Sequence, residues 1–138
     1  YADVENIRGL LSVTDLVLLD IKQAIDEKHV KLTGVSNRKI KQFALFLSQN
    51  AIPVWIRYVL VPGYTDSEDD LHHAAEFIHK LTNVEKVEVL PYHCMGSYKW
   101  DKLNKEYMLE NISPPSDADV EAAGRILAGQ QKLTALKH

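Results

Sequence analysis

Three short apolar runs, separated by amphipathic stretches, are the feature that most constrains the fold of this chain. They are DLVLLDIK (Asp15–Lys22), VWIRYVLV (Val54–Val61) and VEKVEVL (Val84–Leu90). A Pro-Gly pair, Pro62-Gly63, ends the second run, and Pro91 ends the third. Leucine-rich and β-branched runs bounded in this way are typical of parallel strands that are covered on both faces. We therefore predict three parallel strands of this kind.

Amphipathic helices are predicted between and beyond these strands. Their expected N-caps are Asn37, Asp66 and Ser116, and Ser116 forms an S-x-x-D capping pattern with Asp119. A further helical stripe lies within Tyr1–Leu11. Gaps of roughly 30 residues between strands suit right-handed βαβ crossovers. The sequence thus predicts one α/β domain over residues 1–138, either a small open sheet or part of a barrel.

Charged residues inside the predicted strands favour the barrel. Asp20 and Lys22 are two positions apart, so both side chains lie on one face of the first strand, and Arg57 and Val59 share a face of the second. A charge within an apolar strand is costly unless a polar or anionic group receives it. A barrel interior that opens into a ligand site would provide such a group, because ligands bind at the carboxyl ends of barrel strands.

A purely structural explanation of these charges stays open. Asp20 and Lys22 can form a salt bridge with each other, and Arg57 can form an internal ion pair with Asp20 or Glu88. The planar fork of arginine suits a carboxylate, a phosphate or an aromatic face, whereas lysine offers a compact cation. The sequence therefore indicates a ligand site at this strand end without excluding a salt-bridge network.

Composition excludes several other classes of protein. The net charge is −3, which gives no reason to expect a nucleic-acid partner. No apolar run approaches the roughly 20 residues of a membrane span, so no membrane association is expected. The single cysteine, Cys94, excludes an internal disulfide framework and is typical of a protein of the reducing cytoplasm. One cysteine also cannot provide the ligands of an iron–sulfur cluster.

The histidines differ in their expected roles. His93 follows the third strand on the same rim as Lys22 and Arg57, which makes it a candidate ligand-binding residue. Cys94 is its neighbour, but adjacent residues in an extended chain point apart, so a nucleophile–base pair is not expected. The remaining histidines are predicted to lie on the surface of helices or in the tail: His29, His72, His73, His79 and His138.

The strand ends carry a resemblance to a known family. The stretches VTDLVLLDIKQ, GVSN, VWIRYVLVPGYTD and NVEKVEVLPYH occur in this order between about Val13 and Pro115. Together they resemble the radical S-adenosylmethionine (SAM) enzymes that activate glycyl-radical enzymes, of the pyruvate formate-lyase activating type. The resemblance implies a partial (β/α)6, TIM-like barrel, of which this chain would be the C-terminal part with the fourth to sixth βα units. The C-x-x-x-C-x-x-C loop that binds a [4Fe–4S] cluster in this family is absent from this sequence.

The resemblance also implies a SAM site without a general acid or base. The corresponding residues are Asp20, Lys22, Arg57, Val59, Leu90 and His93. Lys22 would contact the methionine or ribose part of SAM, and Asp20 would lie beside a monovalent cation at the SAM carboxylate. Arg57 and His93 would hold SAM from the next two strands, and the two aliphatic residues would flank its adenosyl part.

The activity implied by the resemblance is the generation of a glycyl radical. The cluster cleaves SAM reductively, and the 5′-deoxyadenosyl radical takes a hydrogen atom from a backbone glycine of pyruvate formate-lyase. The implied partners are pyruvate formate-lyase and a flavodoxin-type electron donor. This chain alone is expected to be inactive and to self-associate through exposed strand edges.

Two other functions remain compatible with the residues themselves. The first is an α/β binding or interaction module that shares only the strand-end pattern. The second is a hydrolase or lyase on a parallel barrel, with Lys22 and His93 as acid and base.

Overall fold

Five helices and three strands alternate along the chain in the structure, a computed structural model that describes residues 4–93, 109 and 112–129. The helices are α1 (Val4–Leu11), α2 (Asp26–Thr33), α3 (Arg38–Gln49), α4 (Glu68–Ile78) and α5 (Asp117–Ala128). The strands are β1 (Val17–Ile21), β2 (Val54–Leu60) and β3 (Val84–Pro91). Helix α1 precedes β1, helices α2 and α3 follow it, and α4 follows β2; among the described residues, α5 is the next helix after β3. The three strands predicted from the apolar runs are confirmed.

The strands form one parallel sheet in the order β1-β2-β3. Asp20 of β1 lies opposite Arg57 of β2, and Arg57 lies opposite Glu88 of β3. Farther along, Val59 lies opposite Leu90. A register shift between Val54 and Trp55 adds one residue to the β3 side of the ladder. The parallel α/β fold predicted from the sequence is therefore confirmed.

One face of the sheet carries the core. The residues of β2 that point to this face are fully or almost fully buried: Val54, Ile56, Tyr58 and Leu60. They belong to a single hydrophobic cluster with helix residues such as Leu47, Ile78 and Leu127. Burying an aliphatic side chain of this size stabilises the fold by about 1.5–3 kcal/mol. This layer of helices on one side of the sheet holds the strands in register.

The opposite face of the sheet is not covered by the described residues. The intervening residues of β2, Trp55, Arg57 and Val59, are only half-buried. On β1, Leu18 is 50% exposed. The prediction that both faces of the strands are covered is wrong for the described part of the chain. The prediction failed because the second apolar run also contains Trp55, Arg57 and Val59, which alternate with the core residues and lie on the uncovered face.

The helix starts follow the predicted caps only in part. Ser116 and Asp119 form the predicted capping box at α5. The cap of α4 is Ser67, whose side chain accepts from Asp70 N, so the prediction of Asp66 is wrong. Asp66 instead accepts from the backbone N–H of Gly63 at 2.8 Å, in the turn after β2. The Asp66 carboxylate thus accepts a hydrogen bond from the turn after β2 and does not cap α4.

Asn37 lies at the start of α3, as predicted, but its side chain does not cap the helix. Its amide donates to the backbone carbonyls of Gln23 and Ala24 at 3.0 and 2.9 Å. These bonds tie the start of α3 to the segment that follows β1. Asn37 is therefore an anchor of the rim at the carboxyl end of β1.

Helix α2 was not predicted, and it buries a histidine. His29 is 2% exposed, and its Nδ1 lies 2.7 Å from the carbonyl oxygen of Val35. The prediction of a surface position is therefore wrong for His29. It is confirmed for His72, His73 and His79, which are exposed, whereas His138 and Cys94 lie outside the described residues. None of the helices in the described ranges is long and apolar enough to cross a membrane.

Candidate functional site

The uncovered face of the sheet carries a cluster of charged side chains. We call it the open face and define it by the residues that alternate with the core-facing ones: Leu18, Asp20, Lys22, Trp55, Arg57, Val59, Lys86, Glu88 and Leu90. The strand register arranges them in layers across the three strands, with Lys22, Val59 and Leu90 nearest the carboxyl ends. In parallel α/β folds the carboxyl ends of the strands are where ligands bind.

Asp20, on the outer strand β1, is held between two cations on the open face. Arg57 Nε donates to Asp20 Oδ1 at 2.7 Å, and Arg57 Nη2 lies 2.7 Å from the same oxygen. Lys22 Nζ donates to Asp20 Oδ2 at 3.0 Å. Each carboxylate oxygen therefore has its own cationic partner, and the side chains of all three residues remain partly exposed.

The electrostatics keep Asp20 ionised. Partial burial by itself would raise the pKa of the Asp20 carboxyl. The hydrogen bond and attraction from Lys22, followed by those from Arg57, outweigh that effect, so the pKa lies below its ordinary value. The trio therefore carries one fixed negative and two positive charges near neutral pH. This leaves a surplus positive charge that an anionic ligand can meet.

A second ion pair lies one layer farther from the carboxyl ends. Lys86 Nζ donates to Glu88 Oε1 at 2.9 Å and stands 4.9 Å from the centroid of the Trp55 ring. The Lys86 side chain is only 13% exposed. Glu88 was expected from the sequence only as an alternative ion-pair partner of Arg57. Lys86 and Trp55 were not predicted to lie at this site. The signal for them was the two-residue spacing of Lys86 and Glu88, which repeats that of Asp20 and Lys22.

The other predicted site residues lie near this cluster on the rim. Val59 and Leu90 are directly opposite each other on β2 and β3, both half-buried on the open face. Together they form a small apolar surface beside Arg57. His93 is exposed and follows Tyr92, whose N–H extends the ladder by donating to the Leu60 carbonyl at 3.0 Å. In the described part of the chain, no hydrogen bond or ion pair joins His93 to Asp20, Lys22 or Arg57.

The loop after β2 is fixed by a buried threonine. Thr65 is fully buried, accepts from Val61 N at 2.7 Å and donates to the Val59 carbonyl at 2.8 Å. Tyr58 OH in turn donates to the Thr65 carbonyl at 2.8 Å. These bonds determine the path of the chain at the carboxyl end of β2. They thereby fix the rim at the position of Val59.

A partly buried ion pair joins α2 to α4 outside the sheet. Lys28 Nζ donates to Asp70 Oδ1 at 2.6 Å, and the Asp70 side chain is 4% exposed. Asp70 Oδ2 also accepts from Ser67 Oγ at 2.7 Å. The acidic start of α4, explained from the sequence by the helix dipole, thus contains one carboxylate with a specific structural partner. Among the described residues, no group of three metal-ligating side chains occurs.

Known proteins resemble this chain in sequence and in structure. No family model matches the chain. The pyruvate formate-lyase 1-activating enzyme of Escherichia coli strain K12 is 48% identical over 118 residues, which are 86% of this chain. The pyruvate formate-lyase-activating enzyme of Staphylococcus epidermidis is 54% identical over 120 residues, or 87% of this chain. Over the matched region this chain is a relative of the pyruvate formate-lyase-activating enzymes.

The match covers only part of each relative. The aligned region makes up 48% of the length of both of these activating enzymes. The chain thus spans about half the length of the curated pyruvate formate-lyase-activating enzymes it matches.

Solved structures support the fold. A domain of a pyruvate-formate lyase-activating enzyme from Bacteroides vulgatus matches with a TM-score of 0.73 at 23% identity, covering 92% of this chain and 70% of that one. A radical SAM methyltransferase from Sphaerobacter thermophilus matches with a TM-score of 0.57 at 17% identity, covering 80% and 30% respectively. At these identities the likeness concerns the fold, which is that of a partial parallel α/β barrel.

Proposed function

We propose that this chain is part of a radical SAM enzyme that activates pyruvate formate-lyase, and that its open face supplies part of the SAM site. The observation that carries the proposal is the Asp20–Arg57–Lys22 trio at the carboxyl end of the sheet. It lies in a chain that is about half identical to pyruvate formate-lyase-activating enzymes. Those enzymes are named for the activity that we extend to the complete protein.

The chemistry of the open face suits the parts of SAM. SAM has a carboxylate, ribose hydroxyls and an aromatic base. Among the described residues, Arg57 contacts Asp20 through Nε and Nη2, and Lys22 uses one of its three donors on Asp20, so both keep N–H groups for a carboxylate or hydroxyl. The apolar pair Val59 and Leu90 offers a surface for the adenine ring next to these donors.

Each residue then has a proposed role. Lys22 donates to the methionine or ribose part of SAM, and Arg57 holds SAM from the second strand. Asp20 orients both cations and lies beside a monovalent cation at the SAM carboxylate. His93, exposed at the end of the third strand, holds SAM from that strand. All four act by binding and orienting, and none transfers a proton.

The cofactors supply the reaction itself. When bound, the [4Fe–4S] cluster and SAM provide the reductive cleavage that yields the radical which takes a hydrogen atom from a glycine of pyruvate formate-lyase. The 138-residue sequence contains a single cysteine and cannot supply the three thiolates of a cluster loop. We propose that the cluster is bound by another part of the protein and that this chain is the C-terminal portion, a single domain over residues 1–138.

The partners follow from this role. We propose pyruvate formate-lyase as the protein substrate, a flavodoxin-type protein as the electron donor, and the cytoplasm as the location. We also propose that this chain on its own associates through its sheet. In the described part of the chain, no strand pairs with the outer edge of β1 or of β3, and unpaired edges are templates for association.

The test is activation by the full-length protein. The protein is reconstituted anaerobically with iron and sulfide, reduced, and mixed with SAM and pyruvate formate-lyase, and the glycyl radical is detected by electron paramagnetic resonance. We expect a glycyl radical signal that requires SAM. A pyruvate formate-lyase variant whose radical glycine is replaced by alanine serves as the control and gives no signal. SAM consumption without a radical on the wild-type partner would contradict the proposed activity.

A further inference from the structure

Arg57 stands between two carboxylates and binds only one of them. It lies directly opposite Asp20 on β1 and directly opposite Glu88 on β3, all on the open face. Opposite charges in such positions normally attract each other. Both bonding nitrogens of Arg57 nevertheless go to Asp20, and no ion pair joins Arg57 to Glu88, although both residues are described.

The two carboxylates are drawn in opposite directions by lysines of their own strands. Lys22 lies two residues beyond Asp20, toward the carboxyl end of the sheet where the proposed ligand binds. Lys86 lies two residues before Glu88, away from that end. Glu88 is therefore bound toward the far layer of the open face, whereas Asp20 stays at the ligand side. This difference determines which carboxylate is available to Arg57.

Lys86 is suited to hold Glu88 in this way. Its side chain is 13% exposed, and its ammonium group stacks on the Trp55 ring while it donates to Glu88. Ion pairs and cation–π contacts are stronger where water is largely excluded. Without the charge of Lys86, Glu88 would be a partly buried carboxylate whose in-register neighbour is Arg57, and unpaired buried charges seek a partner.

We propose that Lys86 is a positioning residue for the SAM site: by neutralising Glu88 it leaves Arg57 bound to Asp20 and directed to the ligand. The SAM part of this inference rests on the proposed function. The pairing of Arg57 is a property of the protein alone and is tested without SAM. Lys86 itself does not contact the ligand.

The test uses the full-length protein and four variants: Lys86→Met, Glu88→Gln, the double variant and Lys86→Arg. SAM affinity is measured by calorimetry on the reconstituted protein. Lys86→Met should weaken SAM binding about tenfold, because Glu88 then competes for Arg57. Glu88→Gln and Lys86→Arg should stay within about twofold of wild type, and Glu88→Gln should restore most of the affinity lost in Lys86→Met. A merely structural role of Lys86 would not be rescued by Glu88→Gln.

The second measurement is the nuclear magnetic resonance signal of the Arg57 Nε–H group in protein without SAM. It should shift in Lys86→Met and return in the double variant. If the signal is unchanged in Lys86→Met, or is not restored in the double variant, the inference is wrong whatever the SAM affinities of the variants are. If Lys86→Met prevents folding, Lys86→Gln, which keeps a polar head over Trp55, replaces it in both measurements.

The two hypotheses fail in different ways. If Arg57→Gln leaves SAM affinity unchanged, the assignment of Arg57 to the SAM site fails, and the Arg57 signal alone then decides the role of Lys86. If Arg57→Gln weakens SAM binding but Lys86→Met does not, the positioning role of Lys86 is contradicted and the SAM site stands.

Discussion

Arg57 Nε donates to Asp20 Oδ1 at 2.7 Å, and Arg57 Nη2 forms an ion pair with the same oxygen, also at 2.7 Å. The two residues lie in register on neighbouring strands, so the ion pair bridges β1 and β2. It fixes the guanidinium on the open face and leaves the second carboxylate oxygen to Lys22. The pair thus links the parallel register of the sheet to the geometry of the proposed SAM site.

The first prediction concerns Asp20 and the monovalent cation. In the full-length protein, Asp20→Asn should weaken SAM binding about tenfold, because Arg57 and Lys22 lose the carboxylate that orients them. It should also remove any difference in SAM affinity between potassium and choline buffers, measured by calorimetry. If the only effect of Asp20 were to repel the SAM carboxylate, Asp20→Asn would instead increase the affinity for SAM. A dependence on potassium that persists in Asp20→Asn would contradict the cation site.

The second prediction concerns the stability contributed by Asp70. Asp70→Asn should lower the free energy of unfolding by about 1–3 kcal/mol, because it breaks a charged hydrogen bond of a side chain that is 4% exposed. Urea unfolding measures this loss. The matched control is Asp69→Asn, one position earlier on α4 and 68% exposed, which should change stability by less than about 0.5 kcal/mol. Equal effects of the two variants would contradict the structural role of Asp70.

The third prediction concerns acid stability. Burial alone would raise the pKa of Asp70, but the hydrogen bonds from Lys28 and Ser67 and the charge of Lys28 lower it below the ordinary value of 3.8. A carboxyl whose folded pKa is depressed stabilises the fold above its unfolded pKa and loses this contribution as the pH falls through the folded pKa. The stability difference between wild type and Asp70→Asn should therefore shrink below about pH 4. A difference that stays constant down to about pH 2 would contradict the depressed pKa.

The fourth prediction concerns the loop after β2. Thr65→Val keeps the side-chain volume but removes the buried hydroxyl that Val61 N needs. The unsatisfied N–H should lower the free energy of unfolding by about 1–3 kcal/mol in thermal or urea unfolding. Thr82→Val, whose hydroxyl is exposed, should stay within about 0.5 kcal/mol of wild type. If Thr65→Val has the same free energy of unfolding as wild type, the loop does not depend on this hydrogen bond.

The strands and their order of appearance could be predicted from the sequence because apolar runs and proline or glycine boundaries are local signals. The end of the sheet where Asp20, Lys22 and Arg57 lie was predictable for the same reason. The choice of Asp20 over Glu88 as the partner of Arg57 was not, since it depends on the register of three strands and on Lys86. Nor was the burial of His29, because α2 is otherwise polar and gives a weak amphipathic signal.

The carboxylate at Asp66 illustrates a second limit. A helix cap and a turn acceptor have the same preferred residues, so Asp66 and Ser67 are both plausible caps of α4 from the sequence. The tight turn at Gly63, which has a φ of 77°, places its N–H against Asp66 and leaves the cap to Ser67. Which backbone N–H group each side chain accepts from depends on the folded path of the turn. Residue preferences alone therefore cannot predict it.

The central claim is that Arg57 holds SAM, and a SAM titration of full-length Arg57→Gln tests it most directly. The control is Arg38→Gln, since Arg38 is 81% exposed and lies 3.7 Å from Asp26, away from the open face. We expect Arg57→Gln to bind SAM at least about tenfold more weakly than wild type, whereas Arg38→Gln should bind it as well as wild type does. Equal SAM affinities of wild type and Arg57→Gln, with the cluster intact in both, would contradict it.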